Sequence, residues 1–135
     1  MKQNYPMSDK KNKKAEFVKW MGPLLDALRD LGDSGTPKEV SDYIAKKLSL
    51  SDEKKEELMA SGTPRFHNQV CWARQYLVWE GLLSAEKRGV WQLTKEGRSK
   101  KLDEEESRGI FKKWVAIYAQ QRKEKQSRKI IDTDT

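Results

Sequence analysis

Between Arg65 and Gln75 the chain gathers Arg65, His67, Asn68, Gln69, Arg74 and Gln75. Guanidinium forks and paired amide donors and acceptors are the side-chain types that hydrogen-bond to base edges or phosphates. A second cationic group follows at Lys87-Arg88-Gly89, and a third at Lys95, Arg98, Lys100 and Lys101. Such residues suit contact with phosphates, which positions a protein without reading sequence. Catalytic chemistry is much harder to assemble. His67 is the only His and Cys71 the only Cys, so neither a His/Cys zinc cluster nor a Cys–His dyad with a third orienting residue is available. Their spacing of four places both on one helix face, as any helix surface can do by chance. Glu104-Glu105-Glu106 reads as charge at a helix N-terminus rather than as metal ligands. With no glycine-rich phosphate loop either, the expectation is no catalytic residue, no metal and no cofactor.

Composition points the same way. The 135 residues are 36% hydrophobic and 36% charged, enough for one small core with solvated ends. Formal net charge is +7 and the pI about 9.4, which favours a polyanionic partner. Residues 61–101 carry eight basic and three acidic groups, whereas residues 15–60 carry seven and ten. Positive charge is therefore concentrated on the segment that holds the candidate base-reading residues, and on a Lys-rich start. A lone Cys rules out an internal disulfide framework and suits a reducing compartment. The apolar residues Phe17, Val18, Trp20 and Met21 are broken by Lys19 and too few for a signal or a membrane span. A soluble cytoplasmic protein with no membrane partner is expected.

These side chains must be positioned by secondary structure, and the apolar spacing predicts which. Residues 1–14 are expected to form a disordered basic arm. Phe17, Val18, Met21, Leu24, Leu25, Leu28 and Leu31 recur at helical spacing, with Pro23 either kinking that helix or beginning its main part. Thr36-Pro37-Lys38-Glu39 is a helix start with a capping box, opening a helix through Val40, Tyr43, Ile44 and Leu48. Ser51-Asp52-Glu53 opens a short acidic helix to about Met59. Ser61-Gly62-Thr63-Pro64 repeats the earlier Ser-Gly-Thr-Pro and is expected to start the next helix by the same capping chemistry. That helix, Pro64 to about Glu80, sets Phe66, Val70, Ala73 and Leu77 on one stripe. Leu82–Glu86 and Val90–Thr94 read as strands of a hairpin with its tip at Lys87-Arg88-Gly89. Two strands alone are unstable, so the hairpin must lie on the helices. Thr94 starts a short helix, and Asp103 with Glu106 caps a final one to about Lys125.

The predicted fold class is mainly α with a small β-hairpin: a winged helix-turn-helix over 15–102, a C-terminal amphipathic helix over 103–126, and a flexible tail over 127–135. Trp72 and Trp79 lie two turns apart on a second face of the Pro64–Glu80 helix, which therefore needs a cover. The stripe of Ile110, Phe111, Trp114, Val115 and Tyr118 supplies one, within the chain or from a second copy.

Asn68-Gln69-Val70-Cys71-Trp72-Ala73-Arg74-Gln75-Tyr76-Leu77, then Gly81-Leu82-Leu83 and Arg88-Gly89-Val90-Trp91-Gln92-Leu93-Thr94-Lys95-Glu96-Gly97-Arg98, resemble the N-terminal domain of Mrr-type restriction endonucleases. The likeness spans about residues 17–101. It implies a winged helix that binds DNA in a bacterial defence (restriction) system and can be directed at modified DNA. Cleavage in that family belongs to a separate nuclease domain of the PD-(D/E)XK type. Gln121-Arg122-Lys123 matches that nuclease's tripeptide but sits in a helical, charged stretch, without a strand to carry it.

Together these readings predict a DNA-binding targeting module that is not itself an enzyme. Its partner is double-stranded DNA, modified or unmodified, with a second copy of the chain or a nuclease domain or subunit left open. Arg65, His67, Asn68, Gln69 and Gln75 are expected to read bases, and Arg74, Lys87, Arg88 and Arg98 to hold phosphates. The alternative is a winged-helix module for protein–protein interaction or dimerisation.

Overall fold

Pro23 determines where the first helix begins. In the computed structural model, which describes residues 16–134 and side chains through 127, Glu16–Trp20 forms a 3-10 turn and helix α1 starts after it, Met21–Asp30. Pro23 thus falls in the first turn, where a missing N–H leaves no hydrogen bond broken. Of the two readings of Pro23, the one that begins the main helix holds. The basic arm expected over residues 1–14 lies outside the described residues.

Strand β1, Ser34–Gly35, leads into α2, Pro37–Lys47, and the short α3, Asp52–Glu56. Helix α4 is Arg65–Trp79, followed by β2, Leu83–Ser84, and β3, Trp91–Leu93. Two more helices complete the chain: α5, Lys95–Ser99, and α6, Glu104–Asp134. The protein is mainly α, in the element order expected of a winged helix-turn-helix with a C-terminal helical extension. The last helix continues well past the end expected near Lys125 and through most of the segment read as a tail.

The sheet has three strands, in the order β1-β3-β2, all antiparallel, with Ser34 opposite Gln92 and Leu83 opposite Leu93. Strand β1 was not expected. Two residues show no alternation, and Ser34-Gly35 reads locally as the approach to a helix cap. Its pairing with β3 answers the instability of a two-stranded hairpin directly. Beneath the sheet the core runs continuously through Val18, Met21, Leu24, Leu28, Val40, Ile44, Val70, Leu77 and Leu93, each at most 2% exposed.

The two Ser-Gly-Thr-Pro segments fold differently. Thr36 Oγ1 accepts from Glu39 N at 3.1 Å and Glu39 Oε1 accepts from Thr36 N at 2.8 Å, the expected capping box. At the second copy Pro64 itself is the N-cap of α4, and no side chain caps the helix. Thr63 instead closes a tight turn through its backbone, accepting from Met59 N at 2.8 Å, while Leu58 pairs with Pro64. The expected cap at Thr63 is therefore absent. Arg65 N donates to Glu57 O, so tertiary pairing satisfies a donor that a cap would otherwise serve. Thr36→Ala should cost about 0.5–2 kcal/mol, whereas Thr63→Ala should stay within about 0.5 kcal/mol of the parent. Urea unfolding of both variants checks this, and equal losses would contradict the distinction.

Candidate nucleic-acid interface

Helix α4 contains no acidic residue. Phe66, Val70, Ala73 and Leu77 are buried as their spacing predicts, and Tyr76 joins them at the edge of the core. With its apolar stripe turned inward, the helix presents Arg65, Asn68, Cys71, Trp72 and Gln75 toward the opposite side. This helix, the hairpin tip and α5 carry all nine of the candidate contact residues.

The structure sorts those nine. Asn68 and Gln75 are half-buried, and neither amide hydrogen-bonds another described residue. Gln69 is committed instead: its Oε1 accepts from the indole Nε1 of Trp20 at 2.7 Å, and its Nε2 donates to Glu16 at 3.5 Å. His67 also faces inward, with Nδ1 2.8 Å from the hydroxyl of buried Ser41 on α2. It borders a cavity of about 500 Å³ between α2, α3 and α4.

Among the cations, Arg65 lies 3.8 Å from Glu57 and Arg98 lies 3.1 Å from Asp33, while Lys100 pairs with Glu106 at 3.1 Å. Arg74, Lys87 and Arg88 have no carboxylate partner among the described residues. Lys87 and Arg88 are exposed at the hairpin tip, where Gly89 takes a φ of 76° that favours glycine. Arg74 lies over the Trp91 ring of β3, 5.9 Å from its centroid. Its Nε is buried without a hydrogen-bond partner among the described residues. The stack fixes a guanidinium in the cleft between α4 and the hairpin. Sequence alone gives no signal for it, because Arg74 and Trp91 are brought together only by the turn at Gly81 and the pairing of β3.

Cys71 is not activated. Burial pushes its thiol pKa up and outweighs the lowering effect of Arg74, whereas a nucleophilic cysteine needs the opposite balance. Among the described residues no three His, Cys, Asp or Glu side chains come together as metal ligands. No helix among them is long and apolar enough to cross a membrane.

The cover for the second face of α4 comes from the same chain. Trp79 packs on Tyr118 with ring centroids 4.5 Å apart and on Trp114 at 6.1 Å. Phe111 meets Tyr76 at 5.3 Å and Phe17 at 5.4 Å. Glu80 fastens the contact by accepting from Trp114 Nε1 at 2.8 Å and pairing with Lys113. Burial opposes ionisation of that carboxyl, yet the hydrogen bonds from Lys113 and Trp114 prevail and hold its pKa below the usual range. Helix α6 therefore occupies the flank of α4 at its C-terminal end, and the outward surface left open is the part around Asn68, Trp72 and Gln75. Trp72 remains 48% exposed.

A family model, the Mrr N-terminal domain, matches residues 17–103. No curated protein and no solved structure matched the chain.

Proposed function

Because the chain belongs to the Mrr N-terminal domain family, we propose that it is a winged-helix targeting module that binds double-stranded DNA and leaves cleavage to a nuclease domain or subunit. Helix α4 enters the major groove and presents the free amides of Asn68 and Gln75 to base edges. Arg74, Lys87 and Arg88 take phosphates on either side of that groove. Arg65 and Arg98 can exchange their exposed carboxylate partners for phosphate, since such surface pairs are worth little. His67 and Gln69, tied to Ser41 and Trp20, act by holding α4 in place rather than by reading bases.

The observation that carries this reading is the cation set Arg74, Lys87 and Arg88, without carboxylate partners among the described residues, on and beside a helix that has no acidic residue and two amides unpartnered among those same residues. An interface built this way must release counterions when it forms. Affinity for duplex DNA should fall linearly on a log–log salt plot, with a slope of about −0.9 per phosphate engaged. The double substitution Lys87→Ala, Arg88→Ala should weaken binding to every duplex alike and reduce the slope by roughly two. Fluorescence anisotropy across a salt series measures both. An affinity indifferent to salt would instead support a protein-interaction module held by apolar contacts.

A further inference from the structure

Helices α4 and α6 do not close on each other along their whole contact. Between them lies a cavity of about 470 Å³ beside Trp72, Phe17 and Phe111, lined also by Asn68 and Arg65. A second opening of about 340 Å³ shares Trp72 as a lining residue and includes Tyr118 and Arg122. Either volume falls within the roughly 300–1,000 Å³ of small-ligand pockets. Phe17, Tyr76 and Phe111 make an aromatic floor of mutually inclined rings, with centroids 5.3–5.4 Å apart and planes at 34–78° to one another. Trp72, 6.5 Å from Phe17, and Val115 stand above it, 48% and 41% exposed.

We propose that this groove is a binding site for unstacked nucleobases, taking one or two bases of a single-stranded or locally opened stretch of nucleic acid. The occupant follows from what borders the aromatic floor. The half-exposed indole of Trp72 offers a flat apolar surface to the face of any base, and base–aromatic stacking is tolerant of sequence. The free Asn68 amide supplies both a donor and an acceptor at the base edge. Arg65 lines the first opening and Arg122 the second, where they can take the phosphates flanking a bound base. Among the described residues Glu57 is the one carboxylate paired with Arg65, and at 3.8 Å with both side chains 46% exposed it is readily replaced by phosphate. An apolar peptide would use the same walls but would leave the two arginines and the amide without partners.

This inference rests on the DNA-binding reading and extends it from paired to unpaired bases. Its test compares two duplexes of the same sequence, one fully paired and one with a single extra base bulged at the centre, titrated against the full chain by anisotropy at low salt. The parent should prefer the bulged duplex by about tenfold, within the range of about five- to hundredfold that one base–aromatic stack provides. Trp72→Ala should bring that ratio close to one, and Trp72→Phe should retain most of it. Far-UV circular dichroism checks that each variant is folded. Equal affinity of the parent for the two duplexes, or a Trp72→Ala variant that keeps the parental ratio, overturns the proposal while leaving duplex binding intact. Failure of the parent to bind either duplex would remove the DNA-binding reading and this proposal together.

Discussion

Gly97→Ala should destabilise the protein by about 1–3 kcal/mol or more, while Gly109→Ala, the same chemical change twelve residues later, should stabilise it by about 0.5–1 kcal/mol. The difference lies in what a methyl group would meet. At Gly97 a Cβ would stand 2.0 Å from the carbonyl oxygen of Leu82 and 3.0 Å from its carbon, both backbone atoms that cannot rotate away. Helix α5 has little freedom to retreat. Arg29 on α1 donates to Gly97 O at 2.9 Å and to Lys100 O at 2.8 Å, pinning the helix at both places. Thr94 binds it from the other side, accepting from Gly97 N at 3.1 Å and donating to Gly81 O at 2.7 Å. At Gly109, within α6, nothing lies within 4 Å of the added atom, and alanine gains helix propensity at no steric cost. Chemical denaturation of the two variants should move the midpoint in opposite directions. A shift of the same sign in both would mean that α5 does not sit where the structure has it.

Asn68→Ala and Gln75→Ala should each narrow the gap between a preferred duplex and a random one by up to about 1–3 kcal/mol, the worth of a bidentate base contact. Overall stability should barely change, since neither amide has a hydrogen-bond partner among the described residues. Gln69→Ala should behave the other way round. It removes the acceptor of the Trp20 indole N–H, and Trp20 is only 7% exposed, so a buried donor is left unsatisfied. The cost should be about 1–3 kcal/mol of folding stability, with the ratio of preferred to random binding retained. The preferred site is first obtained by selection from a randomised duplex library, after which binding and urea unfolding are measured on the same three variants. If Gln69→Ala lost discrimination while keeping full stability, the division between reading and supporting residues drawn from the geometry would fail.

That division marks the boundary of what sequence can reveal. The strongly periodic features were legible in it: the stripe Phe66–Val70–Ala73–Leu77, the capping box at Thr36 and Glu39, the cap at Asp103 and Glu106, and the cation pair at a glycine turn. Each depends on residues within one turn or one helix of each other, so local chemistry is enough to specify it. The concentration of Arg, Asn and Gln on α4 was visible for the same reason.

Features that depend on long-range closure were not. Gln69 and Asn68 are neighbours with the same functional group, and composition treats them alike. One points at Trp20, 49 residues away in the chain, and is used up; the other has no hydrogen-bond partner among the described residues. Two identical tetrapeptides part ways because β3 pairs with the first and Leu58 and Met59 pair with the second, replacing a side-chain cap by backbone partners. Strand β1 exists only because β3 offers it an edge. Whether α6 covers its own chain or another copy was undecidable from its stripe, since an apolar face carries no address. Glu80 resolves it in favour of its own chain by holding Trp114 and Lys113, and α6, once docked, leaves the aromatic groove beside Trp72 open. Residue types and local spacing set the elements and the chemistry available on them, whereas which of those groups remains free to meet a ligand was decided by partners far apart in sequence.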